Sequence, residues 1–224
     1  MTQGSVSPFP HTLGRGASYL LETLLWKVGL QRVAGADEVG VGPLAGAVVA
    51  AAVVFPPGVE VANLADSKRL SPAVRERLAA EVRRCAAVGV AMVDVEEIDR
   101  INIYQARMKA LRRAVEELPK PPQFVLVDGR EIPGLGYPQA AYVKGDSFVA
   151  SIAAASIVAK VYRDAYMREL DSRYPAYGFA RNMGYGTREH LDALRRFGPS
   201  PVHRRSFRPI AATQTAESLF SVRR

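Results

Sequence analysis

The chain has 224 residues, of which 48% are hydrophobic and 23% are charged, a composition that suits one globular domain with a sizeable core. No apolar run reaches the roughly 18 residues needed to cross a bilayer, which argues against a membrane protein. The one cysteine, Cys85, excludes an internal disulfide and a cysteine-based metal cluster, so we expect a cytoplasmic protein.

The formal net charge is +8, from 30 Lys and Arg against 22 Asp and Glu. An excess of this size favours a polyanionic partner, and nucleic acid is the first to consider. The alternative is a basic protein without such a partner. The excess is concentrated near the C-terminus, where Glu189 and Asp192 are outnumbered by Arg181, Arg188, Arg195, Arg196, Arg204, Arg205 and Arg208.

Hydrophobic periodicity predicts helices and strands along the chain. Ser71 and Pro72 are typical of a helix N-terminus, and Gly89 is expected to end that helix. Pro119 and Gly198 are expected to end two later helices. The predicted elements are a helix at 17–28, strands at 33–38 and 48–55, a helix from 71 to 88, a strand at 90–95, a helix at 102–118, strands at 124–127 and 140–143, and helices ending near 173 and 197.

This order of elements predicts an α/β fold with a mixed central sheet flanked by helices and a helical C-terminal segment. The first two strands are joined by a turn too short for a crossover helix, so they should be antiparallel. We expect an N-terminal tail and short helix over 1–30, one domain over 31–210 that includes the C-terminal helices, and a tail over 211–224.

Two adjacent acids, Asp37 and Glu38, interrupt an apolar run that is typical of a buried strand. An unpaired buried carboxylate is costly, and a neighbouring carboxylate raises the cost of ionising it. A hard divalent cation relieves both costs, because oxygen is its preferred ligand. Neighbouring side chains on a strand face opposite sides, so both can reach one metal cluster only if the strand bends or ends there.

Two further acids follow predicted strands. Asp128 directly follows the strand at 124–127, and Asp146 lies between a strand and a long helix. Ligand sites form at the carboxyl ends of strands in such sheets, so four carboxylates could meet at one edge and bind Mg²⁺ or Mn²⁺. Taken singly, Asp128 could instead belong to an Asp-Gly turn, and Asp146 could cap a helix.

The glycine turn of Gly40, Val41 and Gly42 directly follows the two adjacent acids. Glycines allow close backbone approach, so exposed amides in this turn could bind a phosphate or a ribose hydroxyl. An isolated pair of glycines is weak support for such a site. Beside the acids, it suggests that a sugar–phosphate backbone lies against the turn.

These residues belong to a series of motifs that resembles ribonuclease HII, the bacterial type 2 ribonuclease H. The resemblance runs from about Val33 to Pro209, and several motifs in matching order are far more specific than any one of them. The motifs are Gly35-Ala-Asp-Glu-Val-Gly-Val-Gly-Pro-Leu-Ala-Gly46, Asp66-Ser-Lys68, Val127-Asp-Gly129, Lys144-Gly-Asp146, the segment 153–164, Tyr177-Gly-Phe179, Gly184-Tyr-Gly-Thr187 and His203-Arg-Arg-Ser-Phe207.

The resemblance implies a ribonuclease H-like fold and an endoribonuclease that uses two Mg²⁺ or Mn²⁺ ions to cut RNA hybridised to DNA. It also implies incision 5′ of single ribonucleotides in duplex DNA, leaving a 3′-hydroxyl and a 5′-phosphate. By this match the metal-binding catalytic acids are Asp37, Glu38, Asp128 and Asp146. The match also implies that the turn of Gly40, Val41 and Gly42 holds the 2′-hydroxyl, and that Tyr185 stacks on the neighbouring deoxyribose.

Two positions depart from the family pattern. Val41 stands where the family turn usually has Arg or Lys, and Met183 stands where the family often has Lys. The backbone amides of the turn survive the first change, but one cation near the phosphates is lost. The competing hypothesis is therefore a non-catalytic or weakened protein that binds RNA–DNA hybrids on the same fold. Retention of all four acids argues against it.

Lesser residues have two interpretations each. Lys68 could contact a phosphate or be solvated, and Lys160 and Arg163 could either line the nucleic-acid face or be solvated. His190 and His203 have no acid or thiol at metal-ligand spacing, so we predict neither as a ligand.

We expect a monomer that binds RNA–DNA hybrids or duplex DNA containing ribonucleotides and makes no membrane contact. The C-terminal tail could bind a replication clamp, but no motif in the sequence supports that partner.

Overall fold

A computed structural model describes residues 17–212, which form a five-stranded sheet with helices on both faces. The strands are β1 (Val33–Val39), β2 (Val48–Val54), β3 (Ala87–Val93), β4 (Phe124–Asp128) and β5 (Gln139–Tyr142). The helices are α1 (Leu20–Lys27), α2 (Pro72–Cys85), α3 (Val95–Ile101), α4 (Ile103–Glu116), α5 (Ala150–Arg173), α6 (Phe179–Asn182) and α7 (Arg188–Phe197). The predicted tails before residue 17 and after residue 212 lie outside the described residues. None of the helices within 17–212 has the length and apolar character of a membrane span.

The sheet is mixed, as predicted, with strand order β3-β2-β1-β4-β5. β1 pairs antiparallel with β2, and β2 pairs antiparallel with β3. β1, β4 and β5 run parallel to one another. The carboxyl ends of these three strands therefore lie at one edge of the sheet, where open sheets with parallel strands form ligand sites.

The core lies on both faces of the sheet, and β2 shows how its residues are divided. Val48 and Ala50 pack with α4, whereas Val49 and Ala51 pack with α2 and α5. On that second face α5 lies almost against the backbone of β1, because a Cβ on Gly35 would come within 2.1 Å of the backbone carbon of Ser151. The alanine-rich first half of α5 follows from this close packing, since larger side chains would not fit.

Two predicted boundaries are wrong. The helix that begins after Ser71 ends at Cys85, and Gly89 lies inside β3, where a Cβ would come within 2.1 Å of the Ala114 carbonyl oxygen on α4. The predicted strand at 90–95 also extends past the end of β3 at Val93 into the start of α3 at Val95. Asp94 is the N-cap of that helix, and its side chain accepts a hydrogen bond from the Glu97 amide. Both errors arise because apolar periodicity does not distinguish the end of a short strand from the last or first turn of a helix.

Candidate active site

A cavity of about 440 Å³ lies at the carboxyl ends of β1 and β4. The structure brings four predicted acids to its walls, and with them the predicted phosphate and ribose contacts Lys68 and Tyr185. The acidic residues that line the cavity are Asp37, Glu38, Asp128 and Asp146.

The parallel register between β1 and β4 positions two of these acids. Ala36 pairs with Val127, and the next residues along the two strands are Asp37 and Asp128. Asp128 Oδ1 accepts a hydrogen bond of 2.7 Å from the amide of Gly145, which directly precedes Asp146. The strand register and this one hydrogen bond therefore hold three of the acids at the same edge.

Glu38 and Asp37 are directed to opposite faces of the sheet, as strand geometry requires. Glu38 Oε1 lies 2.8 Å from Arg107 Nε on α4, whereas Asp37 interacts with Ser156 on α5. β1 continues only one residue beyond Glu38, so both carboxylates reach the cavity at the strand end. Arg107 is a contact that the sequence analysis missed, and no local pattern around it could have revealed the pair.

The electrostatics of the site disfavour four ionised carboxylates. Burial raises the pKa of Asp37 well above its ordinary value, and the charges of Glu38 and Asp128 raise that pKa further. Burial also raises the pKa of Glu38, Asp128 and Asp146. The charge of Arg107 offsets part of this rise for Glu38.

The donor set fits a hard divalent cation, because four carboxylates supply only oxygen ligands. Glu38 Oε2 is buried without a hydrogen-bond partner among the described residues, and a cation would satisfy it. Within residues 17–212, however, no three acid, His or Cys side chains form a ready-made metal cluster. The four acids therefore surround a common cavity without converging on one point.

The glycine turn and Tyr185 lie next to each other beside the acids. A Cβ on Gly42 would lie 3.6 Å from Cε1 of Tyr185, and the Tyr185 side chain is exposed. Gly40 has φ of +94°, and a Cβ there would come within 2.2 Å of Arg163 Nε. Only glycine fits at position 40, both for its backbone conformation and for the space available.

Basic and hydroxyl side chains also line the cavity, beside the acids. The Ser67 and Ser156 hydroxyl oxygens lie 3.0 Å apart, and Lys68 is exposed beside them. Burial raises the pKa of Asp128 and of Asp146, and the Lys68 charge partly offsets that rise. The Lys68 backbone is held by a hydrogen bond of 2.9 Å from its amide to Asp66.

The family model described as Ribonuclease HII matches residues 34–210. The chain belongs to the ribonuclease HII family. The ribonuclease HII of Geobacillus kaustophilus (strain HTA426) is 53% identical over 190 residues, which cover 84% of this chain and 73% of that protein. Membership makes this chain an endoribonuclease.

Two solved structures support the fold alone. The ribonuclease H2 from Pyrococcus horikoshii OT3 matches with a TM-score of 0.71 at 24% identity, covering 83% of this chain and 98% of that chain. Bst-RNase HIII in complex with Mn²⁺ matches with a TM-score of 0.63 at 21% identity, covering 85% of this chain and 71% of that chain. The predicted ribonuclease H-like α/β fold is thereby confirmed.

In this member of the ribonuclease HII family, much of the C-terminal basic charge is neutralised or buried. Arg181 pairs with Glu189, and both Arg188 and Arg195 pair with Asp192. Arg204 is fully buried. The exposed arginines of this segment that form no ion pair within residues 17–212 are Arg196, Arg205 and Arg208.

The prediction for Arg163 is wrong, because this residue neither faces nucleic acid nor is solvated. Its relative exposure is 1%. Lys160, three residues earlier on α5, does line the cavity and pairs with Asp164. The helical period placed both residues on one side of α5, but periodicity does not show which neighbouring segment covers that side.

The two predicted non-ligand histidines of this ribonuclease HII form a buried pair. The Ser200 amide donates to His203 Nδ1 at 2.9 Å, so the proton of neutral His203 must be on Nε2. That nitrogen donates to His190 Nε2 at 2.9 Å, which leaves His190 Nδ1 to donate to the Tyr185 carbonyl oxygen at 2.8 Å. All four ring nitrogens therefore take part in one chain of hydrogen bonds that runs from the Ser200 amide to the Tyr185 carbonyl oxygen.

We expect this pair to make folding stability depend on pH. Burial and the neighbouring His190 lower the pKa of His203 to about 4, and burial lowers the pKa of His190. Unfolded histidines protonate near pH 6.5, so the unfolded state binds more protons as the pH falls from about 6.5 to about 4. The free energy of unfolding should therefore fall over this window, by up to about 1.4 kcal/mol per pH unit for each histidine.

Urea unfolding from pH 7 to pH 4.5 checks this prediction by comparing the wild type with His203→Gln. The carboxylates of the site contribute equally to both proteins, so the difference isolates the histidine pair. The free energy of unfolding of His203→Gln should fall less steeply with decreasing pH. Identical slopes would contradict the assigned protonation states.

Proposed function

We propose that this endoribonuclease depends on divalent metal ions to hydrolyse the RNA strand of RNA–DNA hybrids. We further propose that it incises duplex DNA 5′ of single embedded ribonucleotides, leaving a 3′-hydroxyl and a 5′-phosphate. The observation that carries this proposal is one cavity that joins four carboxylates to Tyr185, which in turn contacts the glycine turn. Carboxylates can hold the metal ions that promote hydrolysis of a phosphodiester. The glycine turn with Tyr185 beside it can bind a ribose and its 2′-hydroxyl.

The proposed metal ligands are Asp37, Asp128 and Asp146, with Glu38 bridging or orienting the nucleotide. Mg²⁺ or Mn²⁺, when bound as two ions, supplies an activated water and stabilisation of the leaving oxygen. The Mn²⁺ named for the ribonuclease HIII structure supports this choice of ions. The three proposed ligands and Glu38 all line one cavity, which brings them to the same edge of the sheet.

Ribose selection is assigned to the glycine turn and Tyr185. The exposed Tyr185 ring lies against Gly42, so a sugar on this ring would lie beside the backbone of the turn. Lys68, which lines the same cavity, is assigned to a phosphate of the bound strand. Duplex affinity from the exposed Arg196, Arg205 and Arg208 should decrease with salt, because each phosphate contact releases counterions.

A nicking assay tests the proposal. The substrate is a labelled DNA duplex with one ribonucleotide, the control is the same duplex without it, and each is incubated with Mg²⁺, Mn²⁺ or EDTA. We expect one cut 5′ of the ribonucleotide with either metal, and none in EDTA or in the all-DNA control. Tight binding without cleavage in both metals would reject the proposal in favour of the non-catalytic hybrid-binding protein.

Removing the Tyr185 ring should weaken cleavage at a single ribonucleotide. A sugar packed on the ring buries roughly 40–80 Å² of apolar surface, which contributes about 1–2 kcal/mol, so Tyr185→Ala should lower kcat/KM by about 5- to 30-fold. Tyr185→Phe keeps the ring and should retain most of the activity. Steady-state kinetics on the single-ribonucleotide duplex give both values, and equal losses in the two variants would show that stacking is not the contribution of Tyr185.

A further inference from the structure

Two buried arginines lie directly behind the glycine turn. Arg163 on α5 is 1% exposed and Arg204 is 0% exposed. Within residues 17–212, neither guanidinium forms an ion pair with a carboxylate; the adjacent Asp164 pairs instead with Arg75 and Lys160. Burial lowers the pKa of both guanidinium groups, that of Arg204 to about 9. An arginine side chain keeps its charge in a protein at neutral pH.

The acceptors of both guanidinium groups are backbone carbonyls around the turn. Arg204 donates to the carbonyl oxygens of Gly40 at 2.6 Å, of Val41 at 3.0 Å and of Gly46 at 2.7 and 2.9 Å. Arg163 donates to the carbonyl oxygens of Ala47, Met183 and Ala45 at 3.0, 3.0 and 3.3 Å. The residues that bracket the turn are therefore fixed by side chains more than 100 positions away.

These contacts determine where the amides of the turn point. In a trans peptide the C=O and N–H groups are directed oppositely, and no described peptide bond is cis. Because the carbonyls of Gly40 and Val41 point inward to Arg204, the amides of Val41 and Gly42 point away from it. Neither amide donates to an acceptor within residues 17–212, and Gly42 is exposed.

We propose that Arg163 and Arg204 are positioning residues that aim the Val41 and Gly42 amides at the oxygens of a ribonucleotide. This inference rests on the proposed function and deepens it. The amides donate to the 2′-hydroxyl oxygen, and the two buried charges attract the adjacent phosphate. In a dry interior these charges are less screened than a surface cation, so they take the place of the basic side chain that Val41 lacks.

The turn and the buried charges make two contributions that kinetics can distinguish. The shape of the turn determines discrimination between ribose and deoxyribose, whereas the buried charge determines affinity for any duplex. Lys in place of Arg keeps the charge but loses the planar fork that binds several carbonyls. Met in place of Arg loses both.

The test measures KM and kcat for the single-ribonucleotide duplex and the inhibition constant Ki of the all-DNA duplex. We expect Arg204→Met and Arg163→Met to lower kcat/KM by about tenfold and to lower the ratio Ki/KM. Arg204→Lys should restore Ki to near the wild-type value but leave the ratio low. The Mg²⁺ concentration for half-maximal activity should not change in any variant.

Arg168→Met is the matched control, because it removes one exposed arginine from the same helix and should leave all values unchanged. A folded Arg204 variant with the wild-type Ki/KM ratio would overturn the inference. If the Met variants do not fold, the Lys variants decide. In the wild type, the amide NMR signals of Val41 and Gly42 should shift with the ribonucleotide duplex and not with the all-DNA duplex; equal shifts would also overturn it.

Failure of this inference differs from failure of the proposed function. A wild-type protein that leaves the ribonucleotide duplex intact rejects the proposed function. A wild-type protein that cuts it, together with Arg204 variants of unchanged ratio, rejects only the role of the buried arginines.

Discussion

Replacing Asp146 with Asn should lower turnover on an RNA–DNA hybrid by about a thousandfold or more while leaving hybrid affinity nearly unchanged. The carboxylate lies at the carboxyl edge of the sheet next to Asp128, where a divalent cation would stabilise the developing charge by several kcal/mol. The amide keeps the shape of the side chain but loses the negative charge that binds the cation. Single-turnover cleavage and fluorescence anisotropy measure the two quantities separately.

Asp192→Asn is the control for this experiment, because Asp192 is an exposed aspartate on α7 that pairs only with neighbouring arginines. Its turnover should equal that of the wild type. Near-normal turnover by Asp146→Asn would remove Asp146 from the metal site. A large loss of hybrid affinity would instead assign Asp146 to substrate binding.

Replacing Asp37 with Asn should abolish cleavage but make the metal-free protein more stable. Burial and the charges of Glu38 and Asp128 raise the pKa of Asp37 above its unfolded value. Because folding disfavours the ionised form of Asp37, its charge lowers the free energy of unfolding at every pH above the unfolded pKa near 3.9. Asn carries no charge, so the variant does not have this loss. In EDTA at pH 7, the Tm should rise by about 2–4 °C for each kcal/mol recovered.

Adding metal should stabilise the wild type more than Asp37→Asn, which is the second half of the test of Asp37. A cation that binds only the folded state at 100 times its Kd stabilises the wild type by about 2.7 kcal/mol. Mg²⁺ or Mn²⁺ should therefore raise the Tm of the wild type and have little effect on Asp37→Asn. A variant that is less stable than the wild type in EDTA, or that keeps the full metal-induced shift, would contradict the charge argument.

The elements that position the site were predictable because each has a local signal. Apolar runs indicated β1, β2 and β4, and Asp128 follows its run directly, so the meeting of the acids followed from the rule that sites form at strand ends. Ser71 acts as the N-cap that its position suggested. Residue order and periodicity were sufficient to predict β1, β2 and β4, but not the start of α3 at its N-cap Asp94.

The supports behind the site were not predictable, because they depend on distant segments. An arginine on a helix is usually solvated, and nothing near Arg163 or Arg204 indicates that each binds the carbonyls of another segment. The pair of Arg107 with Glu38 joins α4 to β1 in the same way. A buried charge is stabilised by its three-dimensional surroundings, which sequence spacing does not encode.

The most direct test of the central claim is the position of divalent ions in crystals of the protein soaked with Mn²⁺, located by anomalous scattering. We predict Mn²⁺ in the cavity at the ends of β1 and β4, with carboxylate oxygens of Asp37 and of Asp128 or Asp146 as ligands. Fully occupied Mn²⁺ sites elsewhere, with these carboxylates free of metal, would contradict the account.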